Sequence, residues 1–433
     1  MVSYEVSPTG ADAASRPGAL ARGGLSPLVL LFLVSLIVPM YIYLGTARLS
    51  PYRIVLLFAV VPLMGMWLSG RAGRVRAPDI LVILFVVWGI VSLTVVHGLE
   101  HIQFGAIFAI ETLGAYFLGR VMVRSPGNLR SVLRIVFVIV LFLMPIAWQE
   151  TSTGRPLLIE IAQKFGPAPP DVNIGGRMGL WRAQGPFDHP ILYGVFCASA
   201  MGMTFYGMSV RGPGRPMAVL ALLLIPLAAF PSLSSGAYLA MFFQFFLIVY
   251  ELTTRSVPRR WRLLSLAFTI VYVTVDALSN RTPVPVFIEH FTFCGECAYN
   301  RVLIWEYGTA EVWRHPLFGI GLNEWIRAPW MSTSMDNFWL LYAVRHGLPA
   351  FVFLAGAILG AMWVIGGLKL ADPSIRALRT GWLISIGGMC LALCTVHLWN
   401  APYSYFLFLV GSGMWLLDAP DGAGAPPPPD SRA

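Results

Sequence analysis

Apolar runs long enough to cross the roughly 30 Å hydrocarbon layer of a bilayer begin near Pro27, Tyr52, Asp79, Gln103 and Ser131, then near His189, Met217, Ser235 and Leu263, and again near Asn337, Leu378 and Tyr403. A chain cut into such runs has little choice of fold, because backbone amides and carbonyls in lipid must be satisfied within the spanning segment or by a closed barrel. Runs of this length predict an all-α polytopic membrane protein of about twelve transmembrane helices. The composition agrees: 57% of residues are hydrophobic and 12% charged, with a mean hydropathy of +0.71, whereas soluble domains carry about a quarter charged residues. The formal charge of +9 does not point to nucleic acid, since the basic residues lie in short clusters between apolar runs and form no groove-binding stripe.

Those clusters set the orientation. Alternate short loops carry Arg71, Arg74 and Arg76; Arg120, Arg124 and Arg130; Arg211 and Arg215; Arg255, Arg259, Arg260 and Arg262; and Lys369, Arg376 and Arg379. By the positive-inside rule these loops are cytoplasmic, which places both termini inside and two long loops, 151–188 and 279–335, outside. Residues 1–24, rich in Ser, Ala, Gly and Pro, and residues 419–433, with prolines at 426–429, read as disordered cytoplasmic tails around a transmembrane domain over 25–418. Cys197, Cys390 and Cys394 fall in apolar spans; only Cys294 and Cys297 lie in a polar loop, where a local disulfide is expected.

The polar chemistry is concentrated outside. From Arg301 to Gly347 the chain reads RVLIWEYGTAEVWRHPLFGIGLNEWIRAPWMSTSMDNFWLLYAVRHG, an expected active-site lid. Arg301, Trp305 and Thr309 share one stripe of a short external helix, which His315 and Pro316 stop. Gly319 and Gly321 allow tight turns, and Asp336 and Asn337 stand where the chain re-enters apolar sequence. The first long loop ends in RMGLWRAQGPFDHPILYG, two arginines beside an aromatic and a Gly/Pro turn. Its Trp181, with Trp305, Trp325, Trp330 and Trp339 later in the chain, suits an interfacial belt, and one or two of the five could stack on sugar rings.

Three local patterns in this order resemble the O-antigen ligase and Wzy-type polymerase superfamily, including exopolysaccharide polymerases of the ExoQ kind. They are RAQGPFDHP (Arg182 to Pro190), the Arg, Trp and HPLxGxG series from Arg301 to Gly321, and DNFWLLYAVRHG (Asp336 to Gly347). The resemblance covers most of the chain. It implies a membrane-embedded glycosyltransferase of the GT-C type at the outer face of the bacterial inner membrane, with a glycan on undecaprenyl diphosphate as donor and an acceptor glycan beside it. It further implies a metal-independent reaction without cofactor, in contact with membrane lipid and with polysaccharide-assembly proteins. The outer loops have no His and carboxylate spacing suited to a metal.

Without a metal, arginines must meet the charge that develops on a departing diphosphate, and their planar fork suits phosphate oxygens. Arg182 and Arg301 match arginines of the family pattern. Arg177, Arg281, Arg314 and Arg327 are also outside, where a solvated or lipid-facing role suffices. Arg345, about nine residues into the tenth span, needs a cavity or a partner; a diphosphate contact and a pair with Glu111 both fit. Asp336 is the candidate base for the acceptor hydroxyl, with a plain N-cap as its other reading. His315 competes as base, though a histidine before proline at a helix end also suits a turn, and His189 carries the same reading. The DN pair, where ligases of the family have a histidine before the asparagine, and the stretch SLSSGAYLA without an arginine both favour polymerisation over ligation to lipid A core. A flippase would instead have charges near the middle of many spans and two related halves.

Overall fold

The computed structural model describes residues 24–172, 176–209, 214–279, 286 and 295–419. Apart from Gly24 and Ala419, the expected tails lie outside this range, as do the side chains of Cys294 and Cys297.

Helices begin near each of the twelve places where an apolar run predicts one. In chain order they are α1 Pro27–Ser35, α2 Pro51–Leu68, α3 Ala77–His97, α4 Ile102–Ala109 continued through a π turn into α5 Ala115–Met122, and α6 Pro126–Thr153. After a short external helix, α7 Leu157–Gln163, come α8 Pro190–Ser209, α9 Gly214–Ala229, α10 Ser235–Thr253 and α11 Arg260–Leu278. The outer helix α12 Gly295–Arg314 precedes α13 Phe338–Gly367, α14 Pro373–Ala392 and α15 Asn400–Ser412. A two-stranded hairpin, Ile42–Leu44 with Ala47–Leu49, follows α1. Among the described residues seven helical stretches, Ala77–Met122 counted as one, are long and apolar enough to cross a membrane. This is an all-α multi-pass membrane architecture. Length sets α1 and α15 apart, at roughly 14 Å and 20 Å for 1.5 Å per residue, less than the hydrocarbon thickness, whereas the 20 residues of α14 include Arg376 and Arg379 and are less apolar.

The short α15 is buried from Ala401 to Ser412, and α8 is buried from Leu192 to Tyr206. A helix apolar all round belongs in the middle of a bundle, and these two form its centre. Small residues let neighbours close on them. A Cβ on Gly411 would lie 2.1 Å from the Tyr116 carbonyl oxygen, and one on Gly202 would lie 2.8 Å from an Ile384 methyl. Buried charges are paired. Arg120, wholly buried on α5, donates to Asp79 at 3.0 Å and to the carbonyls of Ala72 and Arg74, and Tyr116 and Trp67 also donate to Asp79. Such satisfaction is what makes ions tolerable in a low-dielectric bundle.

The feature that shapes this end of the bundle is a break in α13. Gly347 takes φ 81° there and Pro349 follows, so the helix loses its ladder for a turn. The orphaned groups find partners in the HPLFGIG segment. Ile320 and Gly321 donate their amides to the carbonyls of Val344 and Arg345 at 2.9 Å each, and Leu348 donates to Pro316 O at 2.8 Å. The Ser92 hydroxyl of α3 donates to Phe318 O at 2.6 Å, and the Leu322 amide donates to His97 Nε2 at 2.8 Å. Contact this close needs glycine. A Cβ at Gly319, Gly321 or Gly347 would approach Val344 O to 2.4 Å, His97 Nε2 to 2.3 Å or Leu317 O to 2.0 Å, and all three residues have positive φ. The glycines of the motif therefore clamp the outer loop to a broken membrane helix.

Replacing Gly347 by alanine should cost more than about 3 kcal/mol, enough to prevent recovery of folded protein, because steric overlap and left-handed strain add. Gly360→Ala, on the same helix with nothing within 4 Å of its Cβ position, should be recovered at wild-type yield. Size-exclusion of the two variants extracted in mild detergent compares them directly.

Candidate active site

The N-termini of α8, α10 and α13 meet at one cavity of ≈ 200 Å³, with the first turns of α12 beside them. Arg177, Arg182, His189, Ile191, Ser234, Ser235, Asn300, Arg301, Ile304 and Asp336 line it. Three guanidiniums therefore share the space with a single lining carboxylate. Three helix starts add the partial positive charge at the N-terminal ends of their dipoles, so the cavity attracts anions.

Each charged group is set by its own loop. Arg182 is buried and donates Nε to Ser232 O at 3.2 Å, and Arg177 donates Nη1 to Leu233 O at 2.9 Å. Both arginines thus rest on the turn between α9 and α10, where Leu233 takes φ 45° and Ser234 caps α10. The strand of loop bearing Arg182 is fixed from behind by Glu150 at the end of α6, whose carboxylate accepts the amides of Gln184 and Gly185 at 2.8 and 3.0 Å. Gln184 then holds Val172 N, Pro170 O and Phe187 O. In RAQGPFDHP, only Arg182 and His189 line the cavity, and the other residues hold these two in place.

Asp188 joins the starts of the two central helices. It accepts from the Tyr41 hydroxyl and, at 2.9 Å, from Asn400 Nδ2, while Asn400 Oδ1 accepts from Arg53 at 2.7 Å. Arg53 continues to Glu111 at 2.8 Å, and Tyr52 donates to the same carboxylate oxygen at 2.5 Å. Glu111 is thus the partner of Arg53 and not of Arg345.

Arg301 stands on α12, which packs on the outer end of α13 through Ile304, Val312, Leu340 and Val344. Gly308 permits that approach, since a Cβ there would meet a Leu340 methyl at 2.5 Å. Asp336 lies one residue before the α13 cap. Asn337 performs the capping: its Oδ1 accepts the Leu340 amide at 3.0 Å. Asp336 is left to the cavity, and its Oδ1 accepts from the Ser334 hydroxyl at 2.7 Å. The alternative reading of Asp336 as a helix cap is corrected on this point.

Burial and the crowding of like charge both act on these groups. Burial first, then the neighbouring Arg177, pulls Arg182 down to about 10, and Arg301 is lowered by burial and by Arg177 with Asp336 opposing. Both remain charged at neutral pH, and an anionic ligand would relieve the repulsion between them. His189 is pushed down to about 4, by burial and then by Arg182, so its ring is neutral. Its Nδ1 accepts the Ile191 amide at 3.1 Å, which leaves the proton on Nε2 and makes the ring a donor.

Two expected residues lie elsewhere. His315 is half exposed, 3.6 Å from Glu311, and does not line the cavity, because α12 ends at Arg314 and the Pro316 turn carries the ring away. Arg345 is also not among the lining residues: seven residues from the start of α13 at 1.5 Å each, it is roughly 10 Å deeper along the span. Arg177, expected to be solvated, is instead a lining residue. It is brought in by a two-residue turn in which Arg177 and Leu180 exchange both backbone bonds, at 2.9 and 3.0 Å. That turn has Met178 at φ 55° and Gly179 at φ 76°; a methionine at the first position hides it, since the usual signal is Asn-Gly or Asp-Gly. Asn300, on α12, carried no distinguishing sequence signal, and Ser234 and Ser235 stood out only as part of the SLSSGAYLA stretch. No family model matches this sequence and no curated protein matches it.

Proposed function

We propose that this protein is a membrane glycosyltransferase that transfers a glycan from undecaprenyl diphosphate to an acceptor glycan outside the bacterial inner membrane, extending an exopolysaccharide or O-antigen chain. The twelve-span GT-C-like arrangement, with both termini inside and the cavity on the periplasmic side, is part of this reading. One observation carries it: Arg177, Arg182, Arg301 and Asp336, from three separate stretches of sequence, line one cavity at three helix N-termini. A diphosphate needs bidentate donors, and an attacking hydroxyl needs a base.

In the reaction, the acceptor oxygen forms a bond to the anomeric carbon while the bond from that carbon to the diphosphate oxygen breaks. The hydroxyl proton passes to the Asp336 carboxylate. The diphosphate leaves with the bonding electron pair, and Arg182, Arg301 and Arg177 stabilise the charge that develops on its oxygens. His189, a neutral donor through Nε2, is suited to a phosphate oxygen and not to proton abstraction. With one lining carboxylate serving as base, a single displacement follows, and it inverts the anomeric configuration.

Gel analysis of lipid-linked and surface glycans from a deletion strain tests this proposal. Loss of long chains with single capped units retained supports polymerisation. Loss of all capped core would mean that the same chemistry serves ligation to lipid A core, and unchanged glycans would remove the proposal.

A further inference from the structure

Arg345 is the only Arg, Lys, Asp or Glu in α13, and it lies within the span. It is only partly exposed, yet among the described residues its guanidinium has no hydrogen-bond or ion-pair partner. Glu111, the carboxylate that could have paired with it, is taken by Arg53 and Tyr52. An unpaired charge at that depth is costly, and where one is kept it faces the bundle interior or a watery path for a substrate. Arg345 faces inward: helical spacing puts it on one stripe with Phe338, Leu341 and Tyr342, all buried. A long helical side chain also leans toward the helix start, here back toward the level of Phe338.

A second unsatisfied group stands at that level. The His397 ring, in the connection between α14 and α15, lies 6.3 Å from the Phe338 ring and feels the charge of Arg345. Among the described residues neither of its nitrogens makes a hydrogen bond, and Nδ1 is buried. Trp399 ties both groups to the cavity. Its partly exposed ring stands 5.5 Å from His397 and 5.8 Å from His189, which lines the cavity. Charge separates the two places. Three guanidiniums against one carboxylate suit a diphosphate, whereas one guanidinium beside an imidazole suits a single negative charge, and the planar fork of arginine matches a carboxylate in bidentate fashion.

We propose that Arg345, with His397 beside it, holds the carboxylate of an acidic sugar in the glycan, which makes the substrate an acidic polysaccharide. This deepens the glycosyltransferase reading and rests on it. The Trp399 indole offers a flat face for the C–H face of a pyranose, between the anomeric centre at the cavity and the carboxylate at Arg345. The acidic sugar belongs to either the donor or the acceptor, and the experiment separates the two.

The test uses the full chain in nanodiscs and the glycan of its own host, in native form and with its carboxylates reduced to alcohols, each supplied as donor on prenyl diphosphate and as acceptor. For whichever substrate occupies the subsite, reduction should raise the wild-type KM by roughly ten- to a hundredfold, the range of hydrogen bonds to a charged group. Arg345→Gln should raise KM for the native substrate equally, and the two changes together should do no more than either alone. Arg345→Lys should recover part of the loss, since the charge stays and the fork goes. A rise confined to the reduced donor assigns the subsite to the donor, and one confined to the reduced acceptor assigns it to the acceptor. Losses that add would overturn the proposal, because Arg345 would then act on something other than the carboxylate. So would a host glycan without acidic sugars. Should Arg345→Gln not be recovered folded, the wild type alone decides: equal KM for native and reduced glycan in both roles sinks the subsite. If wild type transfers no glycan from any prenyl diphosphate, the glycosyltransferase reading fails. Free native glycan, released from the lipid by mild acid, must then raise the wild-type Tm more than reduced glycan does; equal shifts or none sink the subsite as well.

Discussion

Arg301→Lys should lower the transfer rate by a hundred- to a thousandfold while the protein folds normally. Lysine keeps the charge but loses the planar fork, and it cannot span two phosphate oxygens from the same helix position. Loss of one preorganised donor to developing charge in a water-poor site is worth about 2.7 to 4 kcal/mol. Arg182→Lys should fall in the same range, with an added positional effect, because Arg182 Nε is also bound to Ser232 O. Arg314→Lys is the comparison: that arginine is half exposed and paired with Glu311 at 2.9 Å, and the change should leave the rate within about twofold, as exposed pairs contribute little. Steady-state rates on a lipid-linked donor read all three, and a fully active Arg301→Lys would take the diphosphate away from this cavity.

Asp336→Asn should be at least as damaging, by about a hundred- to ten-thousandfold in kcat, the range of a positioned general base. The substitution is unusually clean. Asn337, not Asp336, caps α13, and an asparagine oxygen at 336 can still accept the Ser334 hydroxyl bond, so the helix start and loop should stay in place. Only proton acceptance is removed. His315→Ala, at a half-exposed position away from the cavity, should retain the wild-type rate. If the two results came out reversed, the base would have to be reassigned to the histidine.

Much of this architecture can be read along the chain because membrane burial writes long apolar runs, and helices begin near each of them. The same rule does not report how long each helix stays regular. The nine residues of α1 sit in a longer apolar stretch whose remainder is turn or loop, and the thirteen of α15 in one that tightens into a 3-10 helix over Met414–Asp418. Within the site, Arg182, Arg301 and Asp336 stood out in the sequence because they match the pattern of the family the chain resembles, and all three line one cavity. Arg177 did not, since its turn uses a left-handed methionine, nor did Glu150, whose role depends on two backbone amides more than thirty residues away. The division between Asp336 and Asn337 also needed geometry, as either side chain can cap a helix. The HPLxGxG glycines suggested turns, but what they turn against is a helix break that begins some thirty residues later, and only the packed structure pairs the two.

The central claim is that this cavity holds a lipid diphosphate, and ligand-induced stabilisation measures it most directly. Thermal unfolding of the purified protein in detergent, with and without undecaprenyl diphosphate, should show a rise in Tm that increases with ligand concentration, as a ligand that binds only the folded state requires. The Arg182→Ala, Arg301→Ala double variant should lose that rise, while Arg314→Ala keeps it. Equal stabilisation of the wild type and the double variant, or none in the wild type, would contradict the assignment.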